Sequence, residues 1–189
     1  MEIQEDWLEG ARHILSPHCD DRPDEEDITL IVIHGISLPP GEFGGEWIER
    51  LFTDSLPADV HPYFESVRGL HVSAHVLIRR DGAVTQFVPF HKRAWHAGVS
   101  RYGGRDSCND YSVGIELEGT DYVPYTDIQY ERLAELIAAL CRHHSGLIPE
   151  RIVGHSDIAP GRKTDPGPHF DWQRLHRLLA GMRVTPEPA

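Results

Sequence analysis

A single-domain α/β fold, with a central mixed β-sheet flanked by helices, is the architecture that the sequence predicts. Strand-like and helix-like patterns alternate along the 189 residues, no repeat or linker interrupts them, and 40% of the residues are hydrophobic. A chain of this length buries one sizeable core, and alternating strands and helices form a sheet covered by helices. We expect residues 28–182 to form the domain, residues 1–27 to pack on it, and residues 183–189 to be a frayed tail.

The predicted strands come from apolar and alternating runs. Residues 28–37 are β-branched and apolar almost throughout, which is typical of a central strand buried on both faces. Two alternating runs flank Asp81-Gly82, a dipeptide that favours a β-hairpin. Residues 111–119 and 151–155 complete the set of predicted strands.

Helices are predicted from apolar residues at helical spacing. A short amphipathic helix falls in residues 44–54. The clearest helix follows Thr126, which can form a capping box with Gln129, and we expect Gly146 to close it. Asp171 is expected to cap the last helix.

The net charge and the cysteine content indicate which partners and which cellular compartment suit this protein. The formal net charge of −12 argues against binding to nucleic acid or to an anionic membrane, because both need a basic surface. Cys19, Cys108 and Cys141 are odd in number and form no CxxC pair, which indicates reduced thiols. The first residues lack a basic, apolar leader, and no apolar run approaches the roughly 20 residues of a membrane helix. We expect a cytoplasmic protein, and nothing implies a protein partner.

Two histidines and an acid point to a metal site. His34 and His155 are each expected at the end of a buried strand, where a ligand can reach them. With an acid from the loop after His155, they would give zinc three protein ligands and leave one position for water. Strand alternation turns Glu116 away from the apolar face, on the side that the small residues Ser112 and Gly114 keep open.

The residues alone leave several assignments open. Most of the 13 histidines must be structural or lie on the surface. His75 shares a predicted strand face with His71 and is a rival ligand, whereas His96 is better placed to line a pocket than to pack. Asp157 and Asp165 both lie on the loop that could supply the acid, and the physics of the sequence allows either.

A basic segment offers a site for an acidic substrate. The average field of this chain repels carboxylates, so a local cluster of cations would have to overcome it. Residues 90–105 contain Lys92, Arg93, Arg101 and Arg105. Ordinary solvated surface charge explains any one of them equally well.

Five segments resemble the N-acetylmuramoyl-L-alanine amidases, zinc enzymes related to phage amidase lysozymes and peptidoglycan-recognition proteins. The resemblance runs in order from about His34 to Trp172, over LIVIHGISLPPGEFGG, SAHVLIRRDG, AWHAGVS, CNDYSVGIELEGTD and GHSDIAPGRKTDPGPHFDW. The stretches LPPGEFGG and IELEGTD are similar in particular to the cytoplasmic type that acts on 1,6-anhydro sugars.

The resemblance implies one zinc ion per chain, held by His34, His155 and Asp165, with Glu116 and Lys163 as catalytic residues. It also implies hydrolysis of the amide between the lactyl group of 1,6-anhydro-N-acetylmuramic acid and the L-alanine of a muropeptide. Zinc would activate a water molecule, Glu116 would take its proton, and Lys163 would stabilise the oxyanion. Asp157 is then left to bind loop amides.

Three positions depart from the pattern of the family. Gly35 stands where Asn is common, His71 where Arg is usual, and Ser107 where another basic residue is common. In the family these positions would help to hold the sugar and the peptide carboxylates. The residues predicted to bind substrate are His96, Arg101, Arg105, His71 and Gly35.

Three other functions compete with this prediction. A lytic amidase acting on intact cell wall would need export and usually a wall-binding module. A non-catalytic muropeptide-binding module typically lacks the acidic or thiolate ligand, whereas Asp165 is present. A structural zinc domain favours four closed ligands, often cysteines.

Overall fold

The structure is a computed structural model that describes residues 1–182. The predicted tail, residues 183–189, lies outside the described residues. The strands are β1 (Ile3–Gln4), β2 (Trp7–Leu8), β3 (Arg12–His13), β4 (Cys19–Asp21), β5 (Leu30–Ile36), β6 (Val76–Ile78), β7 (Val84–Gln86), β8 (Lys92–Ala94), β9 (Arg101–Tyr102), β10 (Arg105–Asp106), β11 (Ser112–Glu118) and β12 (Ile152–Gly154). The α-helices are α1 (Trp47–Phe52), α2 (Pro62–Val67), α3 (Asp127–His143), α4 (His155–Ile158) and α5 (Trp172–Ala180).

The main sheet has six strands in the order β12-β5-β11-β6-β7-β3. Strands β12, β5, β11 and β6 run parallel, whereas β7 pairs antiparallel with β6. The two long strands, β5 and β11, pair over seven residues, with His34 beside Glu116. The predicted mixed sheet is confirmed, as are the hairpin at Asp81-Gly82 and the central position of the apolar strand.

Alternation along β5 and β11 sorts side chains onto two faces of the sheet. Ile31 and Ile33 belong to a core cluster with residues of α3 and α5. Leu30 and Val32 belong to a different cluster with Ile158 of α4. Because successive side chains of a strand point to opposite faces, His34 shares the face of Leu30 and Val32, away from α3.

Helices α1 and α2 build a further part of the core on the outer half of the sheet. Ile48, Phe52 and Phe64 are buried there against Leu77 and Phe87 of the hairpin strands. No helix among residues 1–182 is long and apolar enough to span a membrane.

Caps and strand ends show where the sequence predictions were right and wrong. Thr126 and Gln129 form the predicted capping box, and Asp171 accepts the Arg174 amide at the start of α5. Helix α3 ends at His143, so the prediction that Gly146 closes it was wrong. Gly146 is needed instead because a Cβ there would lie 2.6 Å from the Ile28 carbonyl oxygen.

The prediction that both histidines end strands was also wrong in detail. His34 is the fifth of the seven residues of β5, which continues to Ile36. His155 is the first residue of α4, directly after β12. The two residues still come together, because β12 pairs with β5 in parallel.

Candidate active site

Three elements bring His34, His155 and Asp165 together. His34 projects from β5, and His155 begins α4 beside the end of the adjacent strand β12. Asp165 returns to this point along the loop after α4, where its backbone carbonyl accepts the Ser156 amide at 3.0 Å. The chain thereby folds the predicted ligands from positions 34, 155 and 165 into one cluster.

The donor atoms of His34, His155 and Asp165, named the catalytic cluster here for the role that the sequence predicts, lie close to one another. His34 Nδ1 is 2.9 Å from His155 Nδ1 and 3.2 Å from Asp165 Oδ2. His155 Nδ1 is 3.0 Å from the same carboxylate oxygen. Both histidines are almost completely buried.

The hydrogen bonds around the cluster fix the tautomer of His34. Ser112 Oγ donates to the Cys108 carbonyl at 2.6 Å and can accept from His96 Nε2 at 3.1 Å. His96 Nδ1 then lacks a proton and accepts from His34 Nε2 at 2.9 Å. Because the ring proton of His34 is on Nε2, its Nδ1 carries no proton and directs a lone pair into the cluster.

His155 is fixed in the same way. Its Nε2 lies 3.2 Å from the Ala97 carbonyl oxygen, which can only accept, so the ring proton sits there. Two bare imidazole nitrogens and a carboxylate oxygen therefore face one another. Three electron-rich atoms in mutual contact repel unless a cation lies between them, and imidazole with carboxylate is a ligand set that suits zinc. The residues could hold a metal ion.

Charge and burial keep these ligands in the forms that bind a metal. Burial lowers the pKa of His34 to about 4, although the Asp165 carboxylate acts in the opposite direction. Burial alone would raise the pKa of Asp165, but close contact with the His155 and His34 imidazoles outweighs it and holds that pKa below its ordinary value. His34 is therefore neutral and Asp165 is ionised at neutral pH.

Glu116 and Lys163 line the same cavity as the cluster. The Oε2 atom of Glu116 is buried and has no hydrogen-bond partner in the described part of the chain. Burial raises the pKa of Glu116 well above its ordinary value, and the charge of Asp165 raises it further, whereas the charge of Lys163 lowers it. A raised pKa makes the ionised form of this carboxyl group a stronger base.

Tyr125 holds the loop that carries Asp165, and sequence reasoning missed it. Its hydroxyl donates to the Pro166 carbonyl at 2.9 Å in a buried position. A Cβ on Gly35 would overlap this hydroxyl, and a Cβ on Gly119 would overlap the ring. The glycine at position 35 thus makes room for Tyr125. No local sequence pattern indicates the role of Tyr125, because Gly35, Gly119 and Tyr125 meet only in the fold.

Asp157, the rival of Asp165, lies elsewhere. Its Oδ2 accepts the Gly154 amide at 2.7 Å, in agreement with a role at loop amides. The rival histidine, His75, is fully buried, and its Nδ1 accepts the Gly114 amide at 3.0 Å. The structure places neither residue in the catalytic cluster.

The predicted substrate-binding residues divide into two groups. Gly35 and His96 line the cavity. His96 also fills the space beside Gly114, where any Cβ would overlap its ring, so this side of Glu116 is occupied rather than open as expected.

The other predicted substrate-binding residues lie outside the cavity lining. Arg105 is paired with Asp27 and lies over the Tyr111 ring, and Arg101 is 3.6 Å from Asp106. His71 is exposed and lies 3.6 Å from Asp54. Their positions give the prediction of substrate binding no support. Lys163 is the one lysine or arginine among the residues that line the cavity.

The cavity has a volume of about 660 Å³ and an apolar wall that the sequence did not reveal. It extends from the ligands along the ends of β5 and β11 to α1 and α2. Its apolar and aromatic side chains are Ile36, Leu51, Phe52, Tyr63, Leu70, Val72, Tyr122 and Val123. A cleft of this size with a few convergent polar groups suits a small organic ligand.

A ligand cluster beside a half-buried carboxylate and an ammonium group, on an α/β fold, suits a hydrolase. Residues 24–168 match the N-acetylmuramoyl-L-alanine amidase family. The chain belongs to that family, which confirms the resemblance found in its motifs.

Individual relatives agree with this assignment. The chain is 59% identical over 179 residues, 95% of each sequence, to the 1,6-anhydro-N-acetylmuramyl-L-alanine amidase AmpD of Enterobacter cloacae. It matches a crystal structure of a selenomethionine AmpD derivative with a TM-score of 0.92 and 57% identity, over 95% of this chain and 99% of that one.

A more distant structure contains a ligand. It is a complex of the amidase AmiD from Escherichia coli with the substrate anhydro-N-acetylmuramic acid-L-Ala-D-gamma-Glu-L-Lys. The TM-score is 0.59 at 28% identity, over 91% of this chain and 60% of that chain.

Proposed function

We propose that this protein hydrolyses the amide between the lactyl group of 1,6-anhydro-N-acetylmuramic acid and the L-alanine of muropeptides. One observation carries the proposal: a cluster of two bare imidazole nitrogens and a carboxylate lies in one cavity with the unpaired Glu116 and with Lys163. A relative that is 59% identical over almost the full length bears the name of this activity.

In this proposal His34, His155 and Asp165 hold one zinc ion. When bound, zinc lowers the pKa of a water molecule and polarises the amide carbonyl. The hydrogen bonds from His34 to His96 and from His155 to Ala97 keep both metal-facing nitrogens free of protons. These partners also fix the orientation of the rings before a metal arrives.

Glu116 is the general base and then the general acid. Its Oε2 has no competing partner in the part of the chain that the structure describes, so it is free to accept the proton of the attacking water. The same proton then passes to the alanine nitrogen as the carbon–nitrogen bond breaks. The raised pKa of Glu116 suits a group that performs both transfers.

Lys163 stabilises the negative charge that develops on the carbonyl oxygen as water adds. The side chain of Lys163 is exposed and lines the cavity that holds the ligand cluster, so it can place a positive charge beside the carbonyl oxygen. The apolar wall of the cavity would pack against the sugar ring.

The reaction would take place in the cytoplasm, on fragments released by cell-wall turnover. All three cysteines lie in the described residues and are free thiols, and two of them are buried. Such a state suits a reducing compartment. Subcellular fractionation tests the location, and native protein recovered from periplasm or medium would favour a lytic role.

Hydrolysis of a defined muropeptide tests the function. Metal-free and zinc-reconstituted protein would be incubated with 1,6-anhydro-N-acetylmuramyl tripeptide, and the products would be separated by liquid chromatography and identified by mass. We expect free tripeptide and free anhydro sugar only after reconstitution. Full activity of rigorously metal-free protein would contradict the assignment.

Two further substrates test the preference. The same tripeptide on reducing N-acetylmuramic acid, and intact sacculi, should be cleaved much more slowly. Equal kcat/KM values on both sugars would show that the pocket around Gly35 does not discriminate.

A further inference from the structure

Histidine and aspartate also meet outside the catalytic cluster. Two more groups within residues 1–182 have the donor atoms for a metal ion: Asp6 with His143 and His144, and His18 with Asp54 and His71. The N-terminal cluster is defined here as Asp6, His91, His143 and His144.

The N-terminal cluster has the spacing of a metal site. Asp6 Oδ1 lies 3.3 Å from His143 Nε2 and 3.5 Å from His144 Nε2. Two ligands of a tetrahedral zinc ion, each about 2.0–2.1 Å from the metal, lie about 3.4 Å apart. The other carboxylate oxygen of Asp6 is 3.0 Å from His91 Nδ1, a contact of the kind that orients a ligating carboxylate.

One of the proposed ligand atoms, His144 Nε2, makes no hydrogen bond within residues 1–182. This atom is also shielded from solvent. It points toward Asp6, beyond normal hydrogen-bond geometry. A buried polar atom without a partner is costly, and a cation held between this nitrogen and Asp6 would satisfy it.

The surroundings attract a cation. The cluster opens into a surface cavity of about 300 Å³. Glu25 and Glu26 line it together with Asp6, and the described residues of the lining include no lysine or arginine. Three carboxylates beside the imidazoles create a negative local field.

The folded core determines the position of Asp6. Glu5 and Asp6 form the two-residue turn between β1 and β2, and both have positive φ angles, 48° and 64°. The backbone carbonyl of Asp6 accepts from the amide of Phe90 at 3.2 Å and from Nε2 of the fully buried Gln86 at 2.9 Å. The carboxylate is therefore presented by a fixed turn.

We propose that the N-terminal cluster is a second metal site, which binds a divalent first-row transition ion such as Zn²⁺ through Asp6, His143 and His144. Imidazole nitrogen with carboxylate oxygen favours such ions over Ca²⁺ or Mg²⁺. The bound ion joins the β1–β2 hairpin to the end of α3, so its role is structural. The site does not depend on the proposed amidase activity.

Titration of metal-free protein with Zn²⁺ tests the site. Calorimetry and metal analysis should show two equivalents of Zn²⁺ in the wild type and one in Asp6→Asn. Any second equivalent in Asp6→Asn should bind at least ten-fold more weakly than the second equivalent of the wild type. His34→Ala, which removes a catalytic ligand, should also retain one equivalent. His176→Ala removes an exposed histidine on α5 and should retain two.

Thermal unfolding gives a second readout that does not involve catalysis. Zn²⁺ should raise the Tm of His34→Ala through the N-terminal cluster, because a ligand that binds only the folded state stabilises it. The shift should disappear in His34→Ala/Asp6→Asn and in His34→Ala/His144→Ala. A single equivalent in the wild type would overturn the proposal. A second equivalent that persists in Asp6→Asn and is lost in His71→Ala would also overturn it. The ion would then be bound by the group of His18, Asp54 and His71.

Discussion

The catalytic cluster and the N-terminal cluster use the same kinds of ligand but are built from different parts of the fold. His34 projects from β5 of the main sheet, His155 begins α4 directly after the neighbouring strand β12, and both are almost fully buried. His143 and His144 end a helix at the surface and face a carboxylate that a strained turn presents. The first cluster sits where a substrate cavity meets the core, and the second sits where the N-terminal hairpin meets the domain.

The difference shows that ligand type does not define an active site. Of these two clusters, the catalytic one shares its cavity with an ammonium group, an apolar wall and a half-buried carboxylate whose Oε2 has no hydrogen-bond partner among residues 1–182. The smaller cavity at the N-terminal cluster is lined mainly by carboxylates and imidazoles. Chemistry therefore depends on the groups beside the ligands, and variants in the two regions should have different consequences.

The largest difference is expected between Asp165→Ala and Asp6→Asn. Asp165→Ala removes a catalytic ligand, so hydrolysis should fall by on the order of 10³ or more, because a metal ion supplies several kcal/mol of transition-state stabilisation. Asp6→Asn should leave hydrolysis within about two-fold of wild type. Metal analysis and muropeptide kinetics on both proteins check this. Equal losses in both would contradict the division between the two clusters.

Lys163→Ala should separate charge stabilisation from metal binding. An ammonium is not a metal ligand, so zinc should stay bound, while kcat falls by on the order of 10²–10³ as it does when an oxyanion donor is lost. Lys92→Ala is the matched control, because Lys92 lies outside the cavity and pairs with Asp21. Loss of zinc in Lys163→Ala would show that the residue acts on the ligand loop instead.

The effects of substitutions at Gly35 and Tyr125 on stability should not be additive. Gly35→Ala places a Cβ against the Tyr125 hydroxyl and should lower the free energy of unfolding by about 1–3 kcal/mol. Tyr125→Phe alone should cost about 1–2 kcal/mol, because it leaves the buried Pro166 carbonyl without its donor. In the double variant the overlap is gone, so Gly35→Ala should cost much less. Denaturant unfolding of the four proteins measures this, and additive costs would contradict the contact.

The smallest effect is expected for Asp157→Ala. It removes the acceptor of the Gly154 amide and should cost about 1 kcal/mol of stability, as the loss of a helix cap does. Zinc content and hydrolysis should stay near wild type, in contrast to Asp165→Ala. An Asp157→Ala protein without zinc, beside an Asp165→Ala protein that retains it, would show that the third ligand is misassigned.

Local patterns predicted most of the fold because they depend only on neighbouring residues. Alternation along β11 turned Glu116 away from the face of Val113, Ile115 and Leu117, and the capping box located the start of α3. The end of α3 was wrong because glycine is common after helices for conformational reasons, whereas Gly146 is required by the approach of Ile28.

Contacts between distant segments limited the prediction of the site. The choice of Asp165 over Asp157 depends on a loop path that Tyr125 holds from another element. Arg105 looked like a substrate cation because its partner, Asp27, is 78 residues away in sequence. The resemblance to the amidase family led to the choice of Asp165, which the spacing of the residues left open. Neither the resemblance nor the spacing predicted the apolar wall of the cavity.

Glu116→Gln, assayed for zinc content and turnover on the same sample, tests the central claim most directly. Glutamine keeps the shape of the side chain but cannot accept the proton of the attacking water. We expect the zinc content of wild-type protein, with hydrolysis of the anhydro-muropeptide reduced by on the order of 10²–10⁴. Turnover close to wild type, or loss of zinc together with activity, would contradict the assignment of Glu116 as the base beside a metal site formed by His34, His155 and Asp165.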